Sequence, residues 1–337
     1  MRERMARELA GLRAESQFRD LTLPSGIDLN SNDYLGLSTH ERLIAAITRA
    51  LAEDVRVCST GSRLLSGNHD RWERLESQFA EFVGAETALY FPSGYLANIG
   101  LLSSVLKPGD TVFSDRANHA SIIDGIRLSR ARKVIFPHLD LTYLENALSL
   151  EQAGSGEKIV FVESIFSMEG DRAPLRELAQ LCERYGASLI VDAAHSTGVD
   201  APMKRPDCLL ATVHTCGKAL ASMGAFVAGS RTLRDFLINR ARSFIFTTAL
   251  PPYCAAQIHE ALQLAAVADE ERAHLARLGR HLRARMQKAG FDIGLSESQI
   301  VPLVLGSNET TLRFARDLSS AGFAVRAIRP PTVPVGS

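Results

Sequence analysis

Short apolar runs bounded by turn residues alternate along the chain with longer stretches whose apolar positions recur at helical spacing. The runs TALYF (87–91), TVFSD (111–115), KIVFVES (158–164), SLIVD (188–192), CLLATV (208–213) and AFVAGS (225–230) read as buried strands, too short for helices and rich in β-branched and aromatic residues. Between 70 and 83, Trp72, Leu75, Phe79, Phe82 and Val83 share one helical face and Gly84 ends it, so the single tryptophan belongs to the core. Further helices are predicted over 4–15, 95–106, 118–129, 141–148, 173–186 and 231–244, with Pro174 in the first turn and Gly186 at the stop of the fifth. Strand, helix and strand over 158–192 form a βαβ unit, which makes the sheet parallel there. A long helical region from Ala255 to Ala289 leads to a smaller α/β portion: an IVPLVLG strand (300–306), an ETTLRFARDLSSAG helix (309–322) and a FAVRAI strand (323–328).

Composition narrows the class without deciding the function. At 337 residues the chain exceeds one ordinary core, so one large domain plus a smaller one is expected. An apolar content of 46% supplies that core, yet no run reaches the uninterrupted length of a membrane span. Lys plus Arg and Asp plus Glu stand at 38 each, so no global field draws in nucleic acid or an anionic membrane, and neither is expected as a partner. The cysteines are odd in number and contain no C-x-x-C pair, which argues against a disulfide framework or a structural zinc; no metal is expected and a reducing cytoplasm fits. The start, MRERMARELAGLRAES, lacks the apolar stretch of a secretory signal, and its glutamates argue against a basic targeting helix.

The chemistry gathers on two strings. In HTCGKALASMG (214–224), Lys218 follows a glycine just beyond a buried strand and precedes small residues. A partly apolar setting lowers a lysine pKa and frees the amine to attack an aldehyde, although a lone lysine is as well read as a solvated loop residue. In SLIVDAAHSTG (188–198), Asp192 ends a buried strand and His195 follows in the turn. An acid there needs a partner. A protonated pyridine nitrogen would serve, which would keep that ring an electron sink; a helix cap or metal ligand is the alternative. Gly94, after the TALYFPS string and at the start of a helix, allows close approach of a phosphate to backbone N–H groups.

Asp-x-x-His at a strand end followed by Thr-x-Gly-Lys resembles the fold-type I pyridoxal 5'-phosphate (PLP) enzymes, and the fuller strings resemble the α-oxoamine synthases among them. Those strings are NDYLGL (32–37), GSRLLSGNH (61–69), FPSGYLAN (91–98), NHASIIDG (118–125), ESIFSMEGD (163–171), FIFTTALPP (244–252) and AIRPPTVP (327–334), in family order over nearly the whole chain. The resemblance implies an aspartate aminotransferase-like transferase fold. Its large PLP-binding domain (41–254) has a mostly parallel sheet covered by helices, its smaller α/β domain spans 255–337, and an N-terminal segment (1–40) joins the small domain. Two departures stand out. Relatives carry a longer glycine-rich loop after the position of Gly198, and they continue past PVGS through another strand and helix, so either further residues follow or the small domain is shortened.

The resemblance also assigns roles. Lys218 holds the cofactor and moves a proton at Cα, Asp192 faces the ring nitrogen, His195 the ring hydroxyl and His119 stacks on the ring. Gly94, Tyr95, Ser167 and Thr215 join the cofactor set, with Glu163 behind Ser167. Thr247, or its neighbour Thr248, reaches the phosphate of a partner's cofactor across a homodimer with shared active sites. Arg19, Asn32, Arg329 and Thr332 are expected on the substrate side, Arg329 forking onto a carboxylate. The implied reaction is a decarboxylative condensation of an amino acid with an acyl-CoA or acyl carrier protein thioester. Ser62 in GSRLLSG points to L-alanine and a pimeloyl thioester rather than glycine. Other acyl-CoA:amino acid C-acyltransferases, of the 2-amino-3-ketobutyrate or 5-aminolevulinate type, remain open, as does a catalytically silent partner subunit.

Overall fold

The computed structural model describes residues 1–54, 56–151 and 156–336. In chain order the elements are α1 (Arg2–Ala14), β1 (Ile27–Asp28), α2 (Glu41–Glu53), α3 (Asp70–Phe82), β2 (Thr87–Phe91), α4 (Gly94–Val105), β3 (Thr111–Asp115) and α5 (Ala120–Ser129). They continue with β4 (Arg132–Phe136), α6 (Leu141–Leu150), β5 (Lys158–Glu163), α7 (Leu175–Tyr185), β6 (Ser188–Asp192), β7 (Leu209–Thr215) and β8 (Ala225–Gly229). The remainder is α8 (Arg231–Arg240), α9 (Arg242–Ile245), α10 (Pro252–Ala266), α11 (Asp269–Lys288), α12 (Asn308–Ser320) and β9 (Phe323–Ala324).

Seven strands form one sheet in the order β2-β8-β7-β6-β5-β3-β4. Only β8 runs against the rest, pairing antiparallel with both β2 and β7. The C-terminal ends of β2, β3, β5, β6 and β7 therefore share one edge, where open α/β sheets bind ligands. Alternation along the strands divides the side chains between two helical layers. Phe91, Val112, Phe161, Ile190 and Val213 pack with Leu101 and Leu102 of α4, Ile122 and Ile126 of α5 and Leu233 and Leu237 of α8. On the opposite face Phe113, Val160, Val162 and Leu189 meet Leu144 of α6 and Leu178 of α7. At the other end of that face, Tyr90 and Phe226 meet Trp72 and Phe79 of α3 and Ile258 of α10. Trp72 is fully buried and stacks on Tyr90 with ring centroids 4.4 Å apart.

Several boundaries differ from the sequence reading. The predicted 231–244 helix breaks at Ala241, which is buried and separates α8 from α9. The 255–289 helix is two helices parted at Val267 and Ala268, and α10 packs into the large core, so the expected boundary at 254 falls inside a helix. IVPLVLG forms no strand: a strand needs a ladder partner, Pro302 lacks a donor, and the run's N–H groups bond to single loop acceptors, Ile300 to Ser298 Oγ at 3.2 Å and Val304 to Asp292 O at 3.0 Å. FAVRAI contributes only Phe323–Ala324, paired in parallel with Ile27–Asp28. Among the described residues no helix is long and apolar enough to cross a membrane.

Candidate active site

The sheet edge collects residues from five strand ends. After β2, Ser93 caps α4 by accepting from Leu96 N–H at 3.2 Å, which leaves the first-turn N–H groups of Gly94 and Tyr95 facing outward from the helix start. A Cβ on Gly94 would sit 2.5 Å from Thr215 Cγ2, so only glycine lets this turn approach the end of β7. After β3, His119 caps α5 through Nδ1, which accepts from Ser121 N–H at 3.2 Å. After β5, Glu163 is buried; its Oε1 accepts from His119 N–H at 2.7 Å and its Oε2 from Ser167 N–H at 3.3 Å, so one carboxyl group ties together the loops that carry His119 and Ser167.

Asp192, at the end of β6, is 5% exposed and lies in register with Glu163. Its Oδ1 accepts from Ala194 N–H at 2.9 Å and its Oδ2 from Asn98 Nδ2 at 2.8 Å. Beyond β7, Lys218 Nζ donates to Thr215 Oγ1 at 3.3 Å. Burial, opposed by the charges of Asp192 and Glu163, holds the Lys218 amine below the usual lysine range, the condition an amine nucleophile and base needs. Burial first, and then the Asp192 charge, push the Glu163 carboxyl well above the ordinary range.

His195 is buried in the turn after β6, and its Nδ1 lies 2.7 Å from Tyr34 Oη. Tyr34 Oη also donates to Asn32 Oδ1 at 3.0 Å, so Asn32 reaches the site through the tyrosine. Burial, reinforced by Lys218 and His119, lowers the His195 pKa to about 3. Burial likewise raises the Tyr34 phenol, partly offset by a hydrogen bond from Gln299. His119 is exposed as a residue, yet partial desolvation, aided by the Lys218 charge, lowers its pKa against the pull of Asp192. Both histidines are thus neutral rings.

A second group lies in the N- and C-terminal segments. Arg19 Nη2 donates to Arg329 O at 3.3 Å, Pro330 O at 3.1 Å and Thr332 Oγ1 at 3.4 Å. The Arg329 guanidinium is buried, with Nη1 on Ser16 O at 2.6 Å and Phe18 O at 3.3 Å and Nε without a partner. Three of the four substrate-side residues predicted from sequence are therefore in mutual contact, and among the described residues no hydrogen bond joins them to Lys218, Asp192 or His195. Tyr95 is exposed and its hydroxyl bonds to Asp124. Thr247 lines a small cavity with Arg63, Trp72 and Pro92 of its own chain, and Thr248 is exposed.

Sequence reasoning left Tyr34, Asn98 and Ser121 without roles. Asn98 carried a signal, being an amide inside the apolar helix YLANIGLL. Tyr34 carried none, since its contact with His195 spans 161 positions. The donor set fits PLP. A lysine amine of depressed pKa, a buried carboxylate with two fixed donors, two neutral imidazoles and a helix start opened by Gly94 meet the needs of an aldehyde, a ring nitrogen, a ring face and a phosphate. Among the described residues no cluster of three or more His, Cys, Asp or Glu could hold a metal ion.

The sequence profile of aminotransferase classes I and II matches residues 24–337. The 8-amino-7-oxononanoate synthase of Marinobacter nauticus is 44% identical over 315 residues, covering 91% of this chain and 79% of its own. Among solved structures, a variant of the serine palmitoyltransferase from S. paucimobilis with bound PLP and myriocin superposes with a TM-score of 0.89 at 28% identity, covering 98% of this chain and 89% of its own. The 8-amino-7-oxononanoate synthase of Francisella tularensis superposes with a TM-score of 0.79 at 29% identity, covering 91% and 90%.

Proposed function

The chain belongs to the aminotransferase class I and II family, in its α-oxoamine synthase branch, and from that premise we propose that it is a PLP-dependent C-acyltransferase condensing L-alanine with a pimeloyl thioester to give 8-amino-7-oxononanoate, a step of biotin biosynthesis. The observation that carries the reading is Lys218, with its lowered pKa, three residues beyond the start of contact at Thr215 and on the same sheet edge as buried Asp192.

Bound PLP supplies an aldehyde for Lys218 to hold and an electron-withdrawing ring that acidifies the amino-acid Cα. Asp192 would hold the proton on the ring nitrogen, as its two fixed donors keep the carboxylate oriented. His119 would cover the ring and His195 would meet its hydroxyl oxygen. The N–H groups of Gly94 and Tyr95, with Thr215 and Ser167, would bind the phosphate. Lys218 would also move the proton at the amino-acid Cα, a role suited to an amine whose pKa burial has lowered. Arg329 would fork onto the alanine carboxylate, with Arg19, Asn32 and Thr332 lining the acyl side.

A homodimer with shared sites belongs to the same proposal. Leu65 and Phe246, 79% and 71% exposed, stand in the GSRLLSGNH and FIFTTALPP strings, where apolar surface calls for a cover. Thr247 or Thr248 of one protomer would then meet the phosphate in its partner. Mixing Lys218→Ala chains with chains lacking both threonines should restore activity above either parent; no gain in a mixture shown to exchange subunits refutes the sharing. A cytoplasmic location is part of the reading.

The primary test adds PLP to the protein, follows a visible absorption band, then reduces with borohydride and maps the modified peptide. A label on Lys218 is expected, and a label elsewhere or no band sinks the assignment. Coenzyme A release from pimeloyl-CoA with alanine, glycine and serine tests the substrates, alanine being expected to dominate.

A further inference from the structure

We propose that Asn98 is a positioning residue for this reaction, its amide tying the aspartate that meets the cofactor ring to the histidine that covers it. The inference rests on the PLP reading above and assigns a role to a residue outside the binding set. Asn98 sits in α4 at 2% exposure. Its Nδ2 donates to Asp192 Oδ2 at 2.8 Å and to Ser121 Oγ at 2.9 Å, so both amide hydrogens are in use. Ser121 is fully buried, and its Oγ lies 2.8 Å from His119 Nδ1. That nitrogen also accepts from Ser121 N–H, so Nδ1 is an acceptor and the ring proton resides on Nε2. Polarity runs one way along the chain: the amide donates to the serine, whose hydroxyl hydrogen is free to point at the histidine.

The energetics single out the donors as the purpose of this side chain. Asn98 Oδ1 is buried without a partner, a desolvation cost that an apolar residue in the same helix would avoid. That cost is offset by two donated bonds, of which the one to Asp192 is charge-assisted and about twice as strong as a neutral bond. With Ala194 N–H on Oδ1 and Asn98 on Oδ2, the Asp192 carboxylate is gripped from the strand side and the helix side at once. Glu163 on β5, His119 at the start of α5 and Lys218 beyond β7 are the other titratable groups around it.

The test measures the PLP dissociation constant of the full chain from its visible band, as a ratio to wild type, while pH is varied. Asn98→Ala should bind PLP on the order of tenfold more weakly, with a ratio that pH does not move. Asn98→Asp is isosteric. It should bind nearly as wild type at low pH, where one proton bridges the two carboxyls, and fall below Asn98→Ala as pH rises and both become charged. Ser121→Ala should leave the affinity near wild type and change the circular dichroism of the bound cofactor, because His119 loses its anchor. A packing role predicts the reverse order, with the cavity left by alanine worse than isosteric aspartate at every pH, and that result overturns the proposal; so does wild-type affinity in both Asn98 variants. If wild type itself shows no band and no borohydride label on Lys218, the cofactor reading fails instead.

Discussion

Around Asp192 every polar contact joins residues that the sheet and its covering helices already bury, whereas around Arg329 the contacts join two chain segments that bury almost nothing else. Asn98, Ser121 and Glu163 are each below 4% exposed, on α4, α5 and β5, elements whose apolar neighbours fix their positions. By contrast, α1 and α12 contain no buried residue, and the chain's two ends are linked by a two-residue parallel pairing and by arginine and asparagine side chains that donate mostly to backbone oxygens. The cofactor half is thus assembled before any ligand arrives. The region proposed to take substrate is held by backbone carbonyls, those of Ser16 and Phe18 occupying the Arg329 nitrogen that a carboxylate would take under that proposal. Under the proposed function, the preorganised region would carry the electronic chemistry and the exchangeable contacts would meet the substrate, a division that suits both binding and turnover.

The largest effect that would sharpen this contrast is at Lys218. Lys218→Ala should fold as wild type and lose on the order of 10²–10⁴ in kcat, because the general base is gone; activity near wild type in a steady-state assay would break the assignment. On the exchangeable side, Arg329→Ala should raise the KM for alanine on the order of tenfold or more while leaving the PLP affinity unchanged. A lower melting temperature with an unchanged KM would show that this arginine only anchors the N-terminal segment.

His138 tests the rigid half without touching the site. Its Nδ1 and Nε2 lie 2.8 Å from Asp115 Oδ1 and 2.8 Å from Asp171 Oδ2, which joins the end of β3 to the ESIFSMEGD loop. Burial opposes the charged ring, yet the two carboxylates prevail and raise its pKa to about 10. Because the folded pKa lies above the unfolded value of about 6.5, this contribution is fully present below that pH and is lost as pH rises to about 10. Denaturant titrations should show His138→Asn about 1–3 kcal/mol less stable than wild type near neutral pH, with the difference shrinking through that window. His195 works in the opposite sense. Its folded pKa of about 3 adds stability above about pH 6.5 that fades as pH falls, whereas the raised Tyr34 phenol contributes stability that is lost as pH rises past its ordinary value of about 10, so Tyr34→Phe should flatten the alkaline limb of the stability curve.

The smallest effect is expected at the surface of the second region. Arg326→Ala removes one exposed bond to Thr22 O and should change stability by less than about 0.5 kcal/mol, and a larger change in a melting curve would mean that the chain ends are more firmly joined than their burial implies.

The pattern of apolar runs and helical faces was enough to read the mostly parallel sheet and the buried Trp72 helix and to put Asp192 and Lys218 just beyond strand ends, because each follows from local periodicity and from the turn that ends a strand; the roles given to His119 and His195 came from the family resemblance. Gly94 was legible as an approach point, but that Thr215 Cγ2 is what it makes room for depends on β2 and β7 lying on either side of the antiparallel β8. IVPLVLG was misread because an apolar run states only that it could pair, and pairing is a property of the neighbour. Tyr34, Ser121 and Asn98 gained roles only when strands and helices far apart in sequence met at one sheet edge. Backbone preference and hydrophobic patterning are short-range and written residue by residue. Which buried donor faces which acceptor is decided by the packing of distant elements, where an amide such as Asn98 is tolerable only because Asp192 and Ser121 are within reach of its two hydrogens.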